Sequence, residues 1–509
     1  MSQRGVGGGG DDWRDVLVAV DVGTSGARAA AFDLDGRRRL EVRRAFPTTS
    51  PRPGWAEQDA SAWRSASLSA LGELVARIGT RRRVHAIGLT GQCPSVVLVD
   101  GAHRPIRPAL IYRDNRAVEE SAEVRARFGE RAIHELTGHL PAAFHILPKL
   151  LWVRRHDAAA FERTALVLQP RDWIALALSG QVATDGTHAA ATLLYDVPAR
   201  RWSDELIGAF DLDQALLPPI LPSAAVVGGL LPSVVRRLGL PGSTPVVLGG
   251  ADSQACAFGA GVVGHGPVSE MAGSSTCLNA VVDAVLPVLA VTHYPHVVGP
   301  SLTTETGINT TGAAVAWLAD RLYGGRSGRA RSADFARLDA EAAVVPAGAD
   351  GVLSLAVLGD GERTDPDLRG ALVGLSLRHG RAELARAMLE GAAFEIRDQL
   401  RLLAEGGAPA TELRVSGGDT RLGTWNRIKA DVIGLPVRTV PGDAAVTGVA
   451  MLAGLGVGVY ASAEEAIQRC VHPEPTIEPD ARAARAYDEL FGAWRELAAS
   501  PVVRREGPT

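Results

Sequence analysis

Three glycine- and hydroxyl-rich turns and one isolated acid are the places where this chain could do chemistry. The first turn is Asp21-Val-Gly-Thr-Ser-Gly26, the second Gly273-Ser-Ser-Thr276, and the third Gly417-Gly-Asp-Thr420. Backbone N–H groups in such turns bind phosphate oxygens. Asp21 is placed to hold Mg²⁺ beside the first, directly or through water. Gly417 and Gly418 let a phosphate or a planar ring come close to the backbone. Taken singly, each turn is equally compatible with a plain hairpin or a left-handed turn. The first is neither GxxxxGK[ST], since no Lys follows, nor a GxGxxG that opens a helix.

The isolated acid is Asp252. From Leu238 to Ser269 it is the only Asp, Glu, Lys or Arg. Ionised carboxylates are rarely buried without a partner. Asp252 is therefore a cap for the Ala-rich segment behind it, a salt-bridge partner, or a group that takes a proton.

The elements that must position these residues follow from pattern. VLVAVDVG (16–23), ARAAAFDLDG (27–36) and RRRLEVRRAF (37–46) read as three strands, with Asp35–Gly36 as a hairpin turn. Asp59 predicts an N-cap for a helix over 61–78, and VHAIGLT (84–90) a further strand. Helices are expected over 145–156 and 171–180, and a strand over 245–250. A second pass then begins, with strands at 267–273, 277–283, 413–418 and 436–440 and helices at 382–404, 425–433 and 444–456. DVGTSGARA is matched in kind by MAGSSTCLN, and LTGQCP by VSGGDT. This predicts two similar α/β domains with a ligand-binding cleft between them and a hinge near Val262–Pro267.

Composition narrows the class. The chain has 509 residues, 46% hydrophobic and 22% charged, with a net charge of −4. That suits a globular protein of roughly two to four domains. It argues against nucleic acid or an anionic membrane surface as the main partner. Four cysteines lie far apart with no CxxC, so a disulfide framework or zinc site is not expected and a reduced, cytoplasmic setting fits. No apolar run is suited to spanning a membrane, and the Gly-rich start lacks a signal pattern.

Seven segments carry a resemblance in order along the chain: DVGTSGARAAAFD, GWAEQDASAW (54–63), GLTGQ (88–92), GGADSQ (249–254), GERT with a following Pro (361–366), RGALVGLSLRHGRAELARAMLEG (369–391) and GGDTRLGTWNRIKADVIGLPV (417–437). Together they resemble the FGGY family of carbohydrate kinases, and most the xylulokinases, from Val16 to about Leu490. The resemblance implies an α/β, actin-like ATPase fold of two duplicated ribonuclease-H-like domains, with ATP and sugar in the interdomain cleft. On that scheme 15–264 forms the sugar- and phosphate-binding domain and 265–495 the nucleotide-binding domain, with flexible tails at 1–14 and 496–509. Asp21 matches the acid associated with Mg²⁺ and phosphate. Gly23, Thr24 and Ser25 match the first phosphate turn, and Gly273, Ser274 and Ser275 the second. Gly417 and Gly418 match the adenosine loop, and Asp252 the catalytic acid. The implied reaction is ATP-dependent phosphorylation of a terminal sugar hydroxyl, with D-xylulose first among candidates. A homodimer stays open.

The departures fall on the sugar side. Xylulokinases read Gly-Gln-Met-His where this chain has Gly91-Gln92-Cys93-Pro94. Pro94 has no N–H or side-chain donor, so a sugar hydrogen bond is lost or moved. Ser253 stands where Asn is usual, and Asp419 where a third Gly is usual. Another ketose or a polyol (ribulose, xylitol, erythritol) is therefore a rival substrate. A non-catalytic nucleotide or sugar sensor on the same fold is a more distant alternative. Trp55, with Glu57, Gln58 and Asp59, is expected on the sugar side, Trp55 either stacking on a sugar face or packing. Asp114 either binds hydroxyls or caps the next helix. The hydroxyl-rich stretch 293–317 either approaches the nucleotide or sugar or is a plain polar strand and helix cap, the second being preferred.

Overall fold

The computed structural model describes residues 13–504 except 80, 325–329, 360, 363, 364 and 366. The expected tail through residue 12, the last five residues and part of the GERT segment lie outside the described residues. The first half opens with β1 (Asp15–Val22), β2 (Gly26–Asp33) and β3 (Arg38–Ala45), an antiparallel meander. Gly36 makes the β2–β3 turn at φ 73°. Then come α1 (Ala60–Ile78), where the Asp59 carboxylate caps the Ser61 N–H at 2.8 Å, and β4 (Arg83–Gly91), parallel to β1. The middle holds α2 (Ile146–His156), α3 (Pro170–Ser179) closed by a left-handed Gly180, and the short α4 (Gly186–Ala190). The half ends with β5 (Val226–Gly228), β6 (Val246–Val247) and α5 (Asp252–Gly259). The first sheet runs β5-β6-β4-β1-β2-β3.

The second half contains β7 (Pro267–Ala272), β8 (Thr276–Val282), β9 (Thr292–Pro295), β10 (Leu302–Ile308) and α6 (Thr311–Leu322). These are followed by α7 (Arg381–Glu405), β11 (Glu412–Gly417), α8 (Gly423–Ile433), β12 (Val437–Val440), α9 (Ala444–Gly456) and α10 (Ala481–Ala499). The second sheet runs β9-β10-β8-β7-β11-β12. The run β12-β11-β7-β8-β10 repeats β6-β4-β1-β2-β3 in both order and strand sense. The duplication read from loop chemistry is therefore a duplication of topology.

Both faces of the first sheet are covered at β1, which is why that strand reads as a continuous apolar run, whereas the edge strand β3 buries only Val42. Val16, Val18 and Val20 face α1 through Trp63, Leu71 and Leu74. Leu17 and Ala19 face the other way, into Val446, Val449 and Ala453 of α9. So a helix of the second half roofs the sheet of the first. It also crosses α5, where small residues let two backbones touch: a Cβ on Gly448 would lie 2.0 Å from the Ala255 carbonyl oxygen.

Two expectations change. The strand over 245–250 pairs only at Val246 and Val247, because the residues after it bond to the Ser223 and Ala225 carbonyls and to side chains instead of to a neighbouring strand. Residues 496–504, expected as tail, finish α10 and form a single 3₁₀ turn at Pro501–Val503. Val503 is buried there, and its carbonyl accepts from the Arg369 N–H at 2.8 Å.

Candidate active site

The parallel pairing of β1 with β4 puts Asp21 opposite Thr90 at the carboxyl ends of both strands, the usual place for a site in an α/β sheet. The turn after Asp21 closes through the Gly23 N–H on the Gly26 carbonyl at 3.1 Å. The Thr24 hydroxyl donates to the Tyr112 hydroxyl at 3.2 Å, and Ser25 is exposed. Gln58 braces the turn, donating to the Thr24 carbonyl at 2.7 Å and accepting from Trp63 and Gln92 at 2.8 Å each. Its amide is thus committed to scaffolding, as the Asp59 carboxylate is to capping.

Arg28 was not singled out in the sequence. Hairpin register sets it opposite Asp21. It donates to Asp21 Oδ2 at 2.8 Å and pairs with Asp443, the N-cap of α9. Burial raises the Asp21 pKa more than Arg28 lowers it, with Asp443 adding to the rise.

Asp252 is the first residue of α5, and its own Oδ1 accepts the Ser253 N–H at 2.9 Å. It does not cap from the preceding position, which Ala251 occupies. Burial, then the charges of Asp21 and Glu305, push its pKa up to about 7. It is therefore poised to exchange a proton near neutrality. Glu305, inside the hydroxyl-rich 293–317 stretch, reaches over from β10. It accepts the Ser253 hydroxyl at 2.5 Å and the Gln254 amide at 3.4 Å.

Cys93 and Pro94 stand beside this group. The Cys93 thiol donates to Gln169 Oε1 at 3.2 Å. Burial and the nearby carboxylates of Asp252, Asp185 and Glu305 push that thiol well up, which suits pocket lining rather than a nucleophile. Pro94 is buried. Gln92 Oε1 is a buried acceptor that no described group satisfies.

Trp55 and Asp114 form a separate cluster. The Asp114 carboxylate accepts the Ala56 N–H at 2.6 Å and two bonds from Arg116 at 2.7 and 2.8 Å. Arg116 also pairs with Glu57 and lies 3.7 Å from the Trp55 ring centroid. Trp152 packs edge-on against the same ring at 5.4 Å. Trp55 thus has a face covered by a guanidinium. Asp114 does not cap the following helix, whose N-cap is Ala117. Above this cluster the buried Lys149 donates to the Ile111 carbonyl at 2.8 Å, and burial lowers its pKa to about 7.

The second and third turns meet in the other half, where Ala272 pairs with Gly417. The Gly273 N–H closes on the Ser275 carbonyl at 3.0 Å, and the Ser274 carbonyl accepts the Ala313 N–H from the start of α6. Gly417 has φ 99°, and a Cβ there would sit 2.1 Å from the Ala272 carbonyl oxygen, so the position requires glycine. Beside these turns is a cavity of about 400 Å³. Gly273, Ser274 and Gly418 line it together with Val315, Phe335 and Trp425. Glycine backbone facing apolar and aromatic walls suits a flat ring with a phosphate chain. Asp419 lines the cavity, but its carboxylate is held by Lys429 at 3.0 Å, which also pairs with Glu270 at 2.6 Å.

Among the described residues no helix is long and apolar enough to cross a membrane. Among the described residues no disulfide links the four cysteines.

Comparison with known proteins gives this architecture a name. Residues 16–259 match the N-terminal domain of the FGGY family of carbohydrate kinases, and residues 269–457 its C-terminal domain. The chain is 30% identical to a xylulose kinase of Escherichia coli (strain K12) over 95% of its own length and 98% of that protein's. It is 32% identical to a glycerol kinase of Leptothrix cholodnii over 96% and 99%. Its fold superposes on the crystal structure of xylulose kinase from Rhodospirillum rubrum with TM-score 0.88 at 30% identity, covering 95% of this chain and 98% of that one. The chain belongs to the FGGY family: it is a carbohydrate kinase with the actin-like ATPase fold.

Proposed function

We propose that the chain transfers the γ-phosphoryl group of ATP to a terminal hydroxyl of a pentulose, D-xylulose foremost. The observation that carries this reading is Asp252: a half-buried carboxylate with a pKa near 7, offset by no cation in its own segment. A sugar hydroxyl is a weak nucleophile. Asp252 takes its proton as it attacks, and the pKa matches that task at neutral pH. The first turn, Gly23-Thr24-Ser25, and the second, Gly273-Ser274-Ser275, hold phosphate oxygens. Gly417 and Gly418 admit the adenine ring to the cavity against Trp425. Asp21 fits a Mg²⁺ role, since the Arg28 bond falls on Oδ2 and leaves Oδ1 for the metal or its water. Bound Mg²⁺ would neutralise phosphate charge; positioning supplies most of the remaining rate. Gln92, Cys93, Pro94 and Ser253 shape the acceptor side, Gln92 Oε1 being ready for a sugar O–H.

A polyol acceptor is the second reading, favoured by identity to a glycerol kinase as high as to a xylulose kinase. ADP release with Mg²⁺–ATP over D-xylulose, D-ribulose, xylitol, erythritol and glycerol, beside Asp252→Ala, tests both. Selective D-xylulose turnover that Asp252→Ala abolishes supports the first reading. A preferred polyol supports the second. No acceptor-dependent turnover overturns both in favour of a sensor.

A further inference from the structure

We propose that Thr187 and Asp185 are positioning residues that lock the backbone carrying Asp252; this rests on the kinase reading above. The segment from Leu248 to Ala251 lies between β6 and α5 and belongs to no ladder, so its polar groups need other partners. The Leu248 and Gly249 N–H groups donate to the Ala225 and Ser223 carbonyls at 3.0 and 2.7 Å. Arg171 donates to the Leu248 and Gly249 carbonyls at 3.1 and 3.4 Å, and Thr90 to the Gly250 carbonyl at 2.7 Å. The last N–H before Asp252, that of Ala251, donates to the Thr187 hydroxyl at 2.8 Å. Gly249 has φ 73°, and a Cβ there would lie 1.7 Å from the Leu89 carbonyl oxygen, so the bend is tight as well as pinned.

The direction of the Thr187 bond matters. Its hydroxyl accepts from Ala251 because its own proton goes to Asp185 Oδ2 at 2.7 Å. Asp185 is fully buried and also takes Ser223 at 2.7 Å on Oδ2 and Arg171 at 2.7 Å on Oδ1. Burial opposes its ionisation, but Arg171 and the bonds from His188 and Ser223 outweigh that and hold its pKa below the usual carboxylate range. A fixed negative charge orients the hydroxyl, and the hydroxyl orients the peptide that delivers the base. Neither residue needs to touch substrate. The unit acts by holding the carboxylate of Asp252 where a hydroxyl can meet it, and errors of about 1 Å in such placement cost on the order of 100-fold in rate.

The test is steady-state kinetics with Mg²⁺–ATP and whichever of the five acceptors above the unmodified protein turns over fastest. Thr187→Val keeps the shape and removes the hydroxyl. It is expected to lower kcat by about tenfold or more while KM for ATP stays within about twofold, and Thr187→Ser is expected to recover most of the loss. A folded Thr187→Val with kcat within about twofold of the unmodified protein overturns the proposal, and so does failure of Thr187→Ser to recover. If Thr187→Val does not fold, Ser223→Ala decides: kcat down by about threefold or more supports the unit, and an unchanged kcat overturns it. An unmodified protein with no acceptor-dependent turnover refutes the kinase reading instead, and with it this role.

Discussion

The Ser253 hydroxyl donates to Glu305 Oε2 at 2.5 Å, so β10 of the second half is tied to the residue next to Asp252 in the first. Glu305 also contributes to the raised pKa of Asp252, after burial and Asp21. Glu305→Gln keeps an acceptor for Ser253 and removes that charge. The acid limb of the kcat/KM profile should move to lower pH by about half to one unit. A pH–rate series on both proteins checks this; coincident limbs would show that Glu305 does not tune the base.

Asp252 should also be a cost to the fold. Its folded pKa of about 7 lies above the ordinary 3.8, so the folded protein binds the proton more tightly than the unfolded chain. Ionisation then lowers stability, starting as pH rises past about 4 and complete above about 7. Asp252→Asn, which does not titrate, is expected to be more stable by on the order of 1–3 kcal/mol above neutrality. The advantage should shrink towards pH 4. Denaturant titrations with chelator present and no nucleotide measure it. A pH-independent difference would contradict the raised pKa.

The crossing of α5 and α9 gives a purely steric prediction. A Cβ on Gly448 would meet the Ala255 carbonyl oxygen at 2.0 Å, and one on Gly259 the Ala444 carbonyl oxygen at 1.9 Å. Both obstacles are backbone, so the helices themselves must separate. Gly448→Ala and Gly259→Ala should each cost about 1–3 kcal/mol or more. Gly492→Ala in α10, where nothing lies within 4 Å of the added carbon, should instead gain about 0.5–1 kcal/mol. Equal effects at the crossing and at the control would show that α5 and α9 do not pack this closely.

The parts of the site legible in the sequence are those that local chemistry determines. Gly, Ser and Thr clustered after an extended segment mark strand-end turns whatever surrounds them, so the turns at Gly23, Gly273 and Gly417 could be placed. Asp252 stood out because its segment holds no other charge. Arg28 was within reach, since the hairpin register fixes its partner once the turn is known. What escaped was non-local. Asp185 and Thr187 look like an ordinary N-cap, and in sequence nothing connects them to Ala251. Trp55 reads alike whether open or covered; a guanidinium from Arg116, brought in by the loop after Asp114, decides it. Asp419 follows the glycines of the third turn and lines the cavity with them, but that the buried Lys429 takes its carboxylate was not readable in the sequence.

The cavity between α6 and α8 offers a prediction that separates nucleotide from sugar. Ala316 of α6 lines it at a partly exposed position. A tryptophan there would fill much of the roughly 400 Å³ that the adenine ring is proposed to use. Ala316→Trp should raise KM for ATP by about tenfold or more and leave KM for the acceptor within about twofold. The residue is remote from Asp252 in the chain and on a different sheet's helix layer, so the chemistry at the base should continue once nucleotide is saturating. Recovery of kcat at high ATP would place the nucleotide in this cavity. An unchanged KM for ATP would exclude it, and a raised KM for the acceptor alone would assign the cavity to the sugar.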